Sequence, residues 1–481
     1  MSSGDVTNQA ATGSSGRLDR GTVLALVAMG LGVFVIANDF TALSVALPKI
    51  ESGLSTDLTT SQWVINGYAL VFGVLIVTGG RIADLFGRKR VFMLGAAIFA
   101  VFSVLGGLSP NVAVLITCRA LMGIGGAMMW PAILGMTYAI LPEDKAGLAG
   151  GIILGVAGFG NAVGPMFGGF LTDVFSWRWI FFVNLPIALF AMFVTSREVT
   201  ESQDQAADHH IDYLGVATVS IGLTALLVAL DQGTDAGFGS PGIIGLFAVS
   251  GVLLVAFALI EMRVGVAALV PRDVLENRVF VTACLSVLMM SAIFFSALLY
   301  LPQFMTKVLG YSAVRSGAGL LPMMGVFAVT SFVAGSLYDR LGPRLIVSVG
   351  AACLGIGIFM LSFLDSSSTY ASLVPGMVVL GIGVGLFYSS ITTAAVTALD
   401  PSRSSLAGGI VYMCQIAGGA VGLGVNTAIV ASASSLASGI STAFLVDAVL
   451  ALIGFVVAVL FIGVPDHAAK RHRVHWHRAH A

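Results

Sequence analysis

Two charged side chains lie inside long apolar segments, where charge is rare. Asp39 lies in the segment "FVIANDFTALSVALP" (34–48) and Arg119 in "LITCRALMGIGGA" (115–127). Charged groups are costly in hydrocarbon and mark ion or substrate pathways. Burial favours the neutral form of a carboxyl, and a nearby guanidinium favours its ionised form. A carboxyl under both influences can exchange a proton. The sequence therefore predicts a proton-coupling or cation-binding group at Asp39, with Arg119 as its partner.

Each of these residues also has a structural interpretation. Asp39 could only hydrogen-bond its neighbours, and Arg119 could only clamp helices together. Asp447, in the last apolar segment, has two interpretations as well. It could be a second coupling site, but we favour an acid that reaches toward the membrane interface.

The composition decides which elements must position these residues. Of 481 residues, 57% are hydrophobic and 10% are charged, whereas soluble proteins carry about 25% charged residues. The chain is therefore expected to be an integral membrane protein within a lipid bilayer. A net charge of −1 leaves no basic face for nucleic acid. Within the spans there are no paired acids, metal-ligand spacing or nucleophile–base set, so we expect no enzyme activity, no metal and no cofactor beyond the proton.

Fourteen stretches are long enough to cross a bilayer, which takes about 20 apolar residues. They lie near 21–47, 62–80, 91–108, 112–140, 147–172, 179–196, 213–230, 242–262, 279–301, 316–337, 344–364, 371–398, 405–433 and 441–463. If both termini are cytoplasmic, 18 of the 23 Lys and Arg residues lie on the inner side and four on the outer side. The positive-inside rule therefore places both termini in the cytoplasm.

The chain contains an internal repeat. "GRIADLFGRKR" (80–90) returns as "GSLYDRLGPR" (335–344), an offset of 255, and "LPEDKAGLAGGI" (141–152) as "LDPSRSSLAGGI" (399–410), an offset of 258. Two six-helix halves with a substrate site between them are typical of secondary transporters. We predict a disordered tail (1–20), a first bundle (21–196), a linker with two extra helices (197–278), a second bundle (279–463) and a basic His-rich tail (464–481).

Four of these segments resemble the major facilitator superfamily. "GRIADLFGRKR" is similar to its loop motif, "LITCRALMGIGGA" to its fourth-helix motif, and "NDFTALSVALP" (38–48) to the first-helix motif of its fourteen-helix branch. "GIILGVAGFGNAVGPMFGG" (151–169) is similar to the fifth-helix motif of its drug:proton antiporters. The resemblance implies an all-α membrane protein of the major facilitator fold, with two pseudo-symmetric six-helix bundles and two extra central helices.

The loop motif predicts a conformational contact. A carboxylate at Asp84 can pair with Arg88 and face the positive start of a helix from the other half, near Ser404–Ser405. By the repeat, Asp339 would face the helix that starts near Ala146. Such contacts form only when the cytoplasmic side is closed; the alternative is a solvated turn with ordinary topogenic charges. The gating residues of the loops are then Gly80, Asp84, Gly87, Arg88, Asp339 and Gly342.

The fifth-helix motif adds a flexible, closely packed helix. Glycines four residues apart form one bare stripe that permits close helix approach, and a proline adds a kink. We expect this helix to lie at the interface between the halves and to support a rocking motion. Its gating residues are Gly160, Gly164, Pro165 and Gly168.

The resembled fold lines its cavity with the first, fourth, ninth and twelfth spans. Aromatic and Met surfaces there suit varied flat, apolar compounds, although each such residue could instead be core or lipid-facing. The candidate substrate-binding residues are Phe34, Asn38, Trp130, Met289, Met290, Phe294, Phe295, Tyr300, Phe387 and Tyr388. The sequence departs from the family at Met122, where Gln is usual, and at Ser44, where Asn is usual.

These observations predict a monomeric, proton-coupled exporter of amphipathic or cationic small molecules in a bacterial cell membrane. One alternative keeps the fold but carries a single dedicated metabolite. The other is a membrane receptor or scaffold that does not transport. The His-rich tail could bind metal, but attraction to anionic lipid headgroups is the simpler expectation.

Overall fold

The computed structural model describes residues 19–202, 212–264 and 268–461, and in these residues it is built of helices without a strand. Fourteen helices are long and apolar enough to cross a membrane, which confirms the predicted number of spans. The predicted tails lie almost entirely outside the described residues, and so does the His-rich segment.

The first six spans are made by seven helices, which we call the first half. Their bounds are α1 (Arg20–Leu54), α2 (Leu58–Phe86), α3 (Arg88–Gly107), α4 (Val112–Ile140), α5 (Ala146–Val174), α6 (Trp179–Phe182) and α7 (Asn184–Glu198). The sixth span, predicted as one helix, is broken between α6 and α7. Pro186 explains the break, because a proline has no N–H to bond the carbonyl four residues earlier.

An inserted pair and a short helix connect this half to the next. They are α8 (Tyr213–Ala236), α9 (Pro241–Val264) and α10 (Arg272–Glu276). The second half consists of α11 (Arg278–Lys307), α12 (Ala313–Ala318), α13 (Leu321–Leu341), α14 (Pro343–Leu361), α15 (Tyr370–Ala398), α16 (Ser404–Ser432) and α17 (Leu436–Phe461).

Within each half the helices pack in the same pattern. In the first half, α1 contacts α5, and α4 contacts α2 and α3; in the second half, α11 contacts α16, and α15 contacts α13 and α14. Across the halves, α5 packs against α13 and α2 against α16. The repeat in the sequence is therefore a repeat in the packing.

The inserted pair carries one buried acidic residue among its described positions. It is Glu261, near the end of α9. Its carboxylate accepts hydrogen bonds from the main-chain N–H groups of Leu269 and Val270, both at 3.1 Å. These bonds give the buried carboxyl partners and tie the end of α9 to the segment that leads into α10.

Candidate functional site

Asp84 joins the two halves at one end of the bundle. We call this the motif end, where the loops 81–90 and 340–344 lie. The Asp84 carboxylate is fully buried and accepts hydrogen bonds from the main-chain N–H groups of Ser405 (3.2 Å) and Leu406 (2.8 Å), in the first turn of α16. A helix start presents unpaired N–H groups and partial positive charge. The contact expected from the repeat is present.

Arg88 strengthens the same contact from the next turn. Its Nε donates to Asp84 at 2.9 Å, and its Nη2 donates to the carbonyl oxygens of Pro401 (2.7 Å) and Ser402 (3.0 Å) in the other half. Arg88 itself is buried. One guanidinium therefore neutralises the carboxylate and bonds the opposite half.

Asp339 makes the second copy of this contact, and it is weaker. Its carboxylate accepts from the main-chain N–H of Gly147 at 2.7 Å, in the first turn of α5. Its side chain is exposed to solvent. At the offset of 255 that relates the loops, Pro343 stands where the first copy has Arg88. The contact of Asp339 therefore includes the start of a helix, like that of Asp84, but no arginine in the position of Arg88.

Two glycines allow the halves to approach closely beside these carboxylates. A Cβ on Gly80 would lie 2.6 Å from the carbonyl oxygen of Ser405, and a Cβ on Gly335 would lie 2.4 Å from that of Gly147. These two contacts are related by the repeat. Gly87 and Gly342 have φ of 107° and 81°, which favours glycine in the turns that follow.

The fifth-helix glycine stripe does not lie at the interface between the halves. A Cβ on Gly164 or Gly168 would overlap Thr41 or Ala42, and one on Gly160 would press on Ala37, all in α1. This stripe therefore packs α5 against α1 inside the first half, whereas Pro165 lies beside Gly317 of α12 in the second half. The helix itself lies at the interface between the halves, as expected, because it packs against α13. Another set on α5 meets α13 across the halves, namely Gly147, Gly151, Gly155 and Gly158.

Asp39 and Arg119 form an ion pair in the interior of the first half. Both side chains are fully buried, and Nη1 of Arg119 donates to Oδ2 of Asp39. Nε of Arg119 donates to the carbonyl oxygen of Val64 at 2.7 Å. The guanidinium carbon lies 4.4 Å from the centre of the Tyr68 ring, a cation–π contact. Asp39 points into the bundle and not into lipid.

Several polar atoms around this ion pair have no hydrogen-bond partner in the part of the chain that the structure describes. They are Oδ1 of Asn38, Oδ1 of Asp39, Nη2 of Arg119 and the hydroxyl of Tyr68. Buried polar groups are nearly always hydrogen-bonded, so each exception calls for an explanation. Two of these atoms belong to the ion pair itself, and the Tyr68 ring lies against its guanidinium. The site therefore has unused donors and acceptors for a proton or a polar ligand group.

Met122 contacts the guanidinium of the same ion pair. Its Sδ lies 4.0 Å from Nη1 of Arg119, and a thioether is a weak acceptor. The amide oxygen that the family's usual Gln would offer here is missing, and Met122 contacts the nitrogen that already donates to Asp39.

Some of the predicted substrate-binding residues lie near the first half or the interface, and others pack within the second half. Trp130 lines a small cavity of about 10 Å³ between the halves, which is room for about one water molecule. Phe34 stacks near Phe159 of α5, with ring centres 6.0 Å apart, and Asn38 adjoins the ion pair. The Phe294 ring contacts those of Phe295, Phe327 and Tyr388.

Other members of that set pack within the second half. Phe295 lies against Gly419 of α16, Met290 against Gly454 of α17, and the backbone of Phe387 against Gly350 of α14. The remaining members make hydrogen bonds or are half-buried. Tyr388 pairs with Ser291 at 3.0 Å, Tyr300 pairs with Thr427 at 2.9 Å, and Met289 is half-buried.

Asp447 lies inside the second half and does not reach toward an interface. It is 2% exposed, and Nδ2 of Asn426 donates to both of its oxygens, at 3.1 and 2.9 Å. The favoured prediction for Asp447 is therefore wrong. The residue is eleven positions into α17, and its environment there is a packed contact with α16.

Comparison with known proteins decides the family. The Major Facilitator Superfamily profile matches residues 29–423 and, in a second match, 323–478. The chain belongs to the major facilitator superfamily. It is accordingly a multi-pass membrane transporter and not an enzyme.

Several of its relatives within the superfamily are bacterial resistance and export proteins. The chain is 33% identical to the puromycin resistance protein pur8 of Streptomyces alboniger, over 92% of this chain and 86% of the relative. It is 32% identical to the multidrug resistance protein Stp of Mycobacterium tuberculosis, over 86% and 77%. It is 30% identical to the cephamycin export protein CmcT of Amycolatopsis lactamdurans, over 92% of each.

A solved structure of the superfamily has the same fold. The human organic anion transporter MFSD10 (TETRAN) matches with a TM-score of 0.65, over 92% of this chain and all of that one. The sequences are 14% identical, so the likeness concerns the fold.

Sequence reasoning missed several residues of this major facilitator site. Tyr68 lies under the guanidinium, and the Tyr412 ring contacts that of Trp130 at a tilt, with ring centres 4.5 Å apart. Tyr412 and Gln415 of α16 also line the small cavity. A Gln in an apolar span is a usable signal, but a Tyr in such a span is not, because the same residue type also fills cores and membrane interfaces.

Proposed function

We propose that this major facilitator transporter is a proton-coupled exporter of amphipathic or cationic small molecules such as antibiotics, which it moves by alternating access. The Asp39–Arg119 ion pair carries the proposal. It is fully buried, and one oxygen of its carboxylate and one nitrogen of its guanidinium have no hydrogen-bond partner among the described residues. The relatives named for antibiotic or multidrug resistance and export support the direction and the class of cargo.

We place both termini in the cytoplasm because Lys and Arg residues concentrate on that side. The motif end is then cytoplasmic, and the conformation described above is closed toward the cytoplasm. The contacts of Asp84, Arg88 and Asp339 hold that state. The opposite state requires the helix starts of α5 and α16 to leave these side chains.

In the proposed cycle Asp39 exchanges a proton for cargo. When the protein is open to the cytoplasm, Asp39 releases its proton there, and the ionised carboxylate favours a cationic cargo. When the protein faces outward, an entering proton displaces the cargo. Arg119 pairs with the carboxylate while no cargo is bound, so the charge is compensated at that stage.

The proton gradient supplies the work. Each proton that returns inward releases about 2.3 kcal/mol per 100 mV and about 1.4 kcal/mol per pH unit of gradient. One proton could thus sustain a roughly hundredfold gradient of a neutral cargo, since each tenfold step costs about 1.4 kcal/mol.

The cargo surface is proposed around the small cavity between the halves. Trp130, Tyr412 and Gln415 line it, and Asn38 and the Asp39 pair lie in the first half. A cavity of about 10 Å³ is too small for a drug, so cargo must bind after the halves have separated.

The test is efflux of ethidium from cells that lack their own drug pumps. We expect Asp39→Asn to lose uphill export driven by the proton gradient, by more than tenfold, while the protein still reaches the membrane. Asp365→Asn is the matched control, because that carboxyl lies in an exposed loop. The proposal fails if Asp39→Asn exports ethidium uphill and still depends on the proton gradient.

A panel of compounds distinguishes a drug exporter from a carrier of one metabolite. A broad exporter should lower the accumulation of several unrelated amphipathic compounds, and a dedicated carrier should lower one. A scaffold that does not transport should cause no proton flux when ethidium is added to energised inside-out vesicles.

A further inference from the structure

A second buried carboxyl lies in the half opposite the Asp39 pair. Asp447 of α17, Asn426 of α16 and Ser296 of α11 are 2%, 1% and 0% exposed. Nδ2 of Asn426 donates to both oxygens of Asp447, and it lies 2.8 Å from Oγ of Ser296. Three helices of the second half therefore meet at one carboxyl.

This carboxyl has only neutral partners. Among the described residues, no Lys, Arg or His lies within ion-pair distance of Asp447, in contrast to the pairing of Asp39. An unpaired charge in an apolar interior is strongly unfavourable, and the group takes a proton instead. Burial among neutral partners therefore favours the protonated form of Asp447.

The titratable groups on the surrounding helices do not change this conclusion. Tyr300 of α11 faces the site, and its hydroxyl bonds Thr427. Cys353 of α14 is a neutral thiol, and Cys284 of α11 and Cys414 of α16 neighbour each other some three turns away. Arg344 of α14 donates to the carbonyl oxygen of Val459, near the other end of α17.

Asn426 is suited to both forms of the carboxyl. Its Oδ1 is buried and has no partner among the described residues. An amide that donates to an ionised carboxylate can turn over and accept from a protonated one. The unused oxygen beside Asp447 therefore provides an acceptor for the proton.

Asn426 of this site lies at nearly the depth of Arg119, the partner of Asp39. Asn426 follows the start of α16 by 22 residues and Arg119 precedes the end of α4 by 21, so both lie about 32 Å from the motif end at about 1.5 Å per residue. Asn426 also follows Gln415, which lines the small cavity, by eleven residues, or about three turns. It therefore lies on nearly the same face of α16 as the cavity between the halves.

We propose that Asp447, with Asn426 and Ser296, is a second proton-binding site that carries its own proton through the transport cycle. The inference rests on the proposed proton coupling and extends it to the number of protons moved. The proton leaves an oxygen of Asp447 for water when the halves separate, and Asn426 then donates to the carboxylate that remains. Side chains in mutual contact leave room for a proton but not for a cargo molecule.

The test uses the purified full chain in liposomes. Infrared difference spectra between acidic and alkaline buffer report protonated carboxyls through their C=O stretch. Wild type should show a band that Asp447→Asn lacks and Asp447→Glu keeps. In Asp365→Asn the band should be unchanged: hydrogen bonds from Ser367 and Ser368 lower the pKa of the Asp365 carboxyl, so it stays ionised over the range.

A transport measurement accompanies the spectra. The number of protons moved per ethidium should fall by one in Asp447→Asn, and Asp447→Glu should restore it. An unchanged band and an unchanged ratio in Asp447→Asn would overturn the second site and leave the proposed function intact. If instead Asp39→Asn keeps its proton-driven export, the proposed function fails, whereas the Asp447 band still decides whether that residue binds a proton. If Asp447→Asn is poorly folded, Asp447→Glu and Ser296→Ala give the same test, because only a proton site shifts the pH dependence of the band.

Discussion

The two halves repeat the same helices but treat charge differently. In the first half each functional carboxylate has an arginine: Asp84 pairs with Arg88, and Asp39 pairs with Arg119. In the second half neither carboxyl does: Asp339 meets only the start of a helix, and Asp447 only neutral side chains. The first half therefore compensates its buried carboxylates with arginines, whereas the described residues of the second half leave theirs to solvent or to neutral partners.

The largest expected effect comes from removing one arginine of the first half. Arg119→Leu should lower the free energy of unfolding by about 3–5 kcal/mol, because it leaves Asp39 as an unpaired buried charge. The measurement is thermal or denaturant unfolding in detergent. The double variant Arg119→Leu with Asp39→Leu should be less destabilised than the single one.

A substitution of the buried carboxyl in the second half should destabilise the protein much less. Asp447→Asn should cost about 1 kcal/mol or less, because a neutral carboxyl is replaced by an amide of similar shape. If Asp447→Asn destabilises as much as Arg119→Leu, the two halves do not differ in the way described.

The second effect concerns the contacts at the motif end. Asp84→Asn should weaken closure by about 2–3 kcal/mol, since a buried charge-assisted contact is lost. Asp339→Asn should weaken it by about 1 kcal/mol or less, because its side chain is exposed. Spin labels at Arg197 and Leu341, one in each half, would report the closed fraction. Equal shifts in the two variants would contradict the asymmetry.

The two halves should respond most alike at the repeat-related glycines, Gly80 and Gly335. Gly80→Ala and Gly335→Ala should each cost about 1–3 kcal/mol of closure, since each added methyl would meet a main-chain carbonyl of the other half. Gly325→Ala is the control, because nothing lies within 4 Å of a Cβ there. A large effect at only one of the two glycines would contradict the repeat.

Much of the fold followed from the sequence because few physical rules govern it. A bilayer sets the length of a span, so fourteen apolar runs correspond to fourteen membrane-spanning helices among the described residues. The offsets of 255 and 258 also predicted which helix start Asp84 would face, because duplicated halves place matching loops at one end.

What the sequence did not predict correctly also has physical reasons. Glycines at 160, 164 and 168 define a bare stripe, but a stripe does not indicate which neighbour covers it, and α1 covers this one. The depth of Asp447 is compatible both with an interface and with a packed interior, and only the position of Asn426 on another helix decides between them. The role of Tyr68 depends on the rotation of α2 relative to α4, which no local pattern encodes.

The contact of Asp84 has a consequence for how this transporter can evolve. Its partners across the halves are main-chain N–H groups of Ser405 and Leu406, which every amino acid except proline provides. The hydrogen bonds themselves therefore place no demand on which side chains stand at the start of α16, but the packing does, because Ser405 and Leu406 are fully buried. Random mutagenesis should accept residues of similar size at positions 405 and 406, and few at position 84.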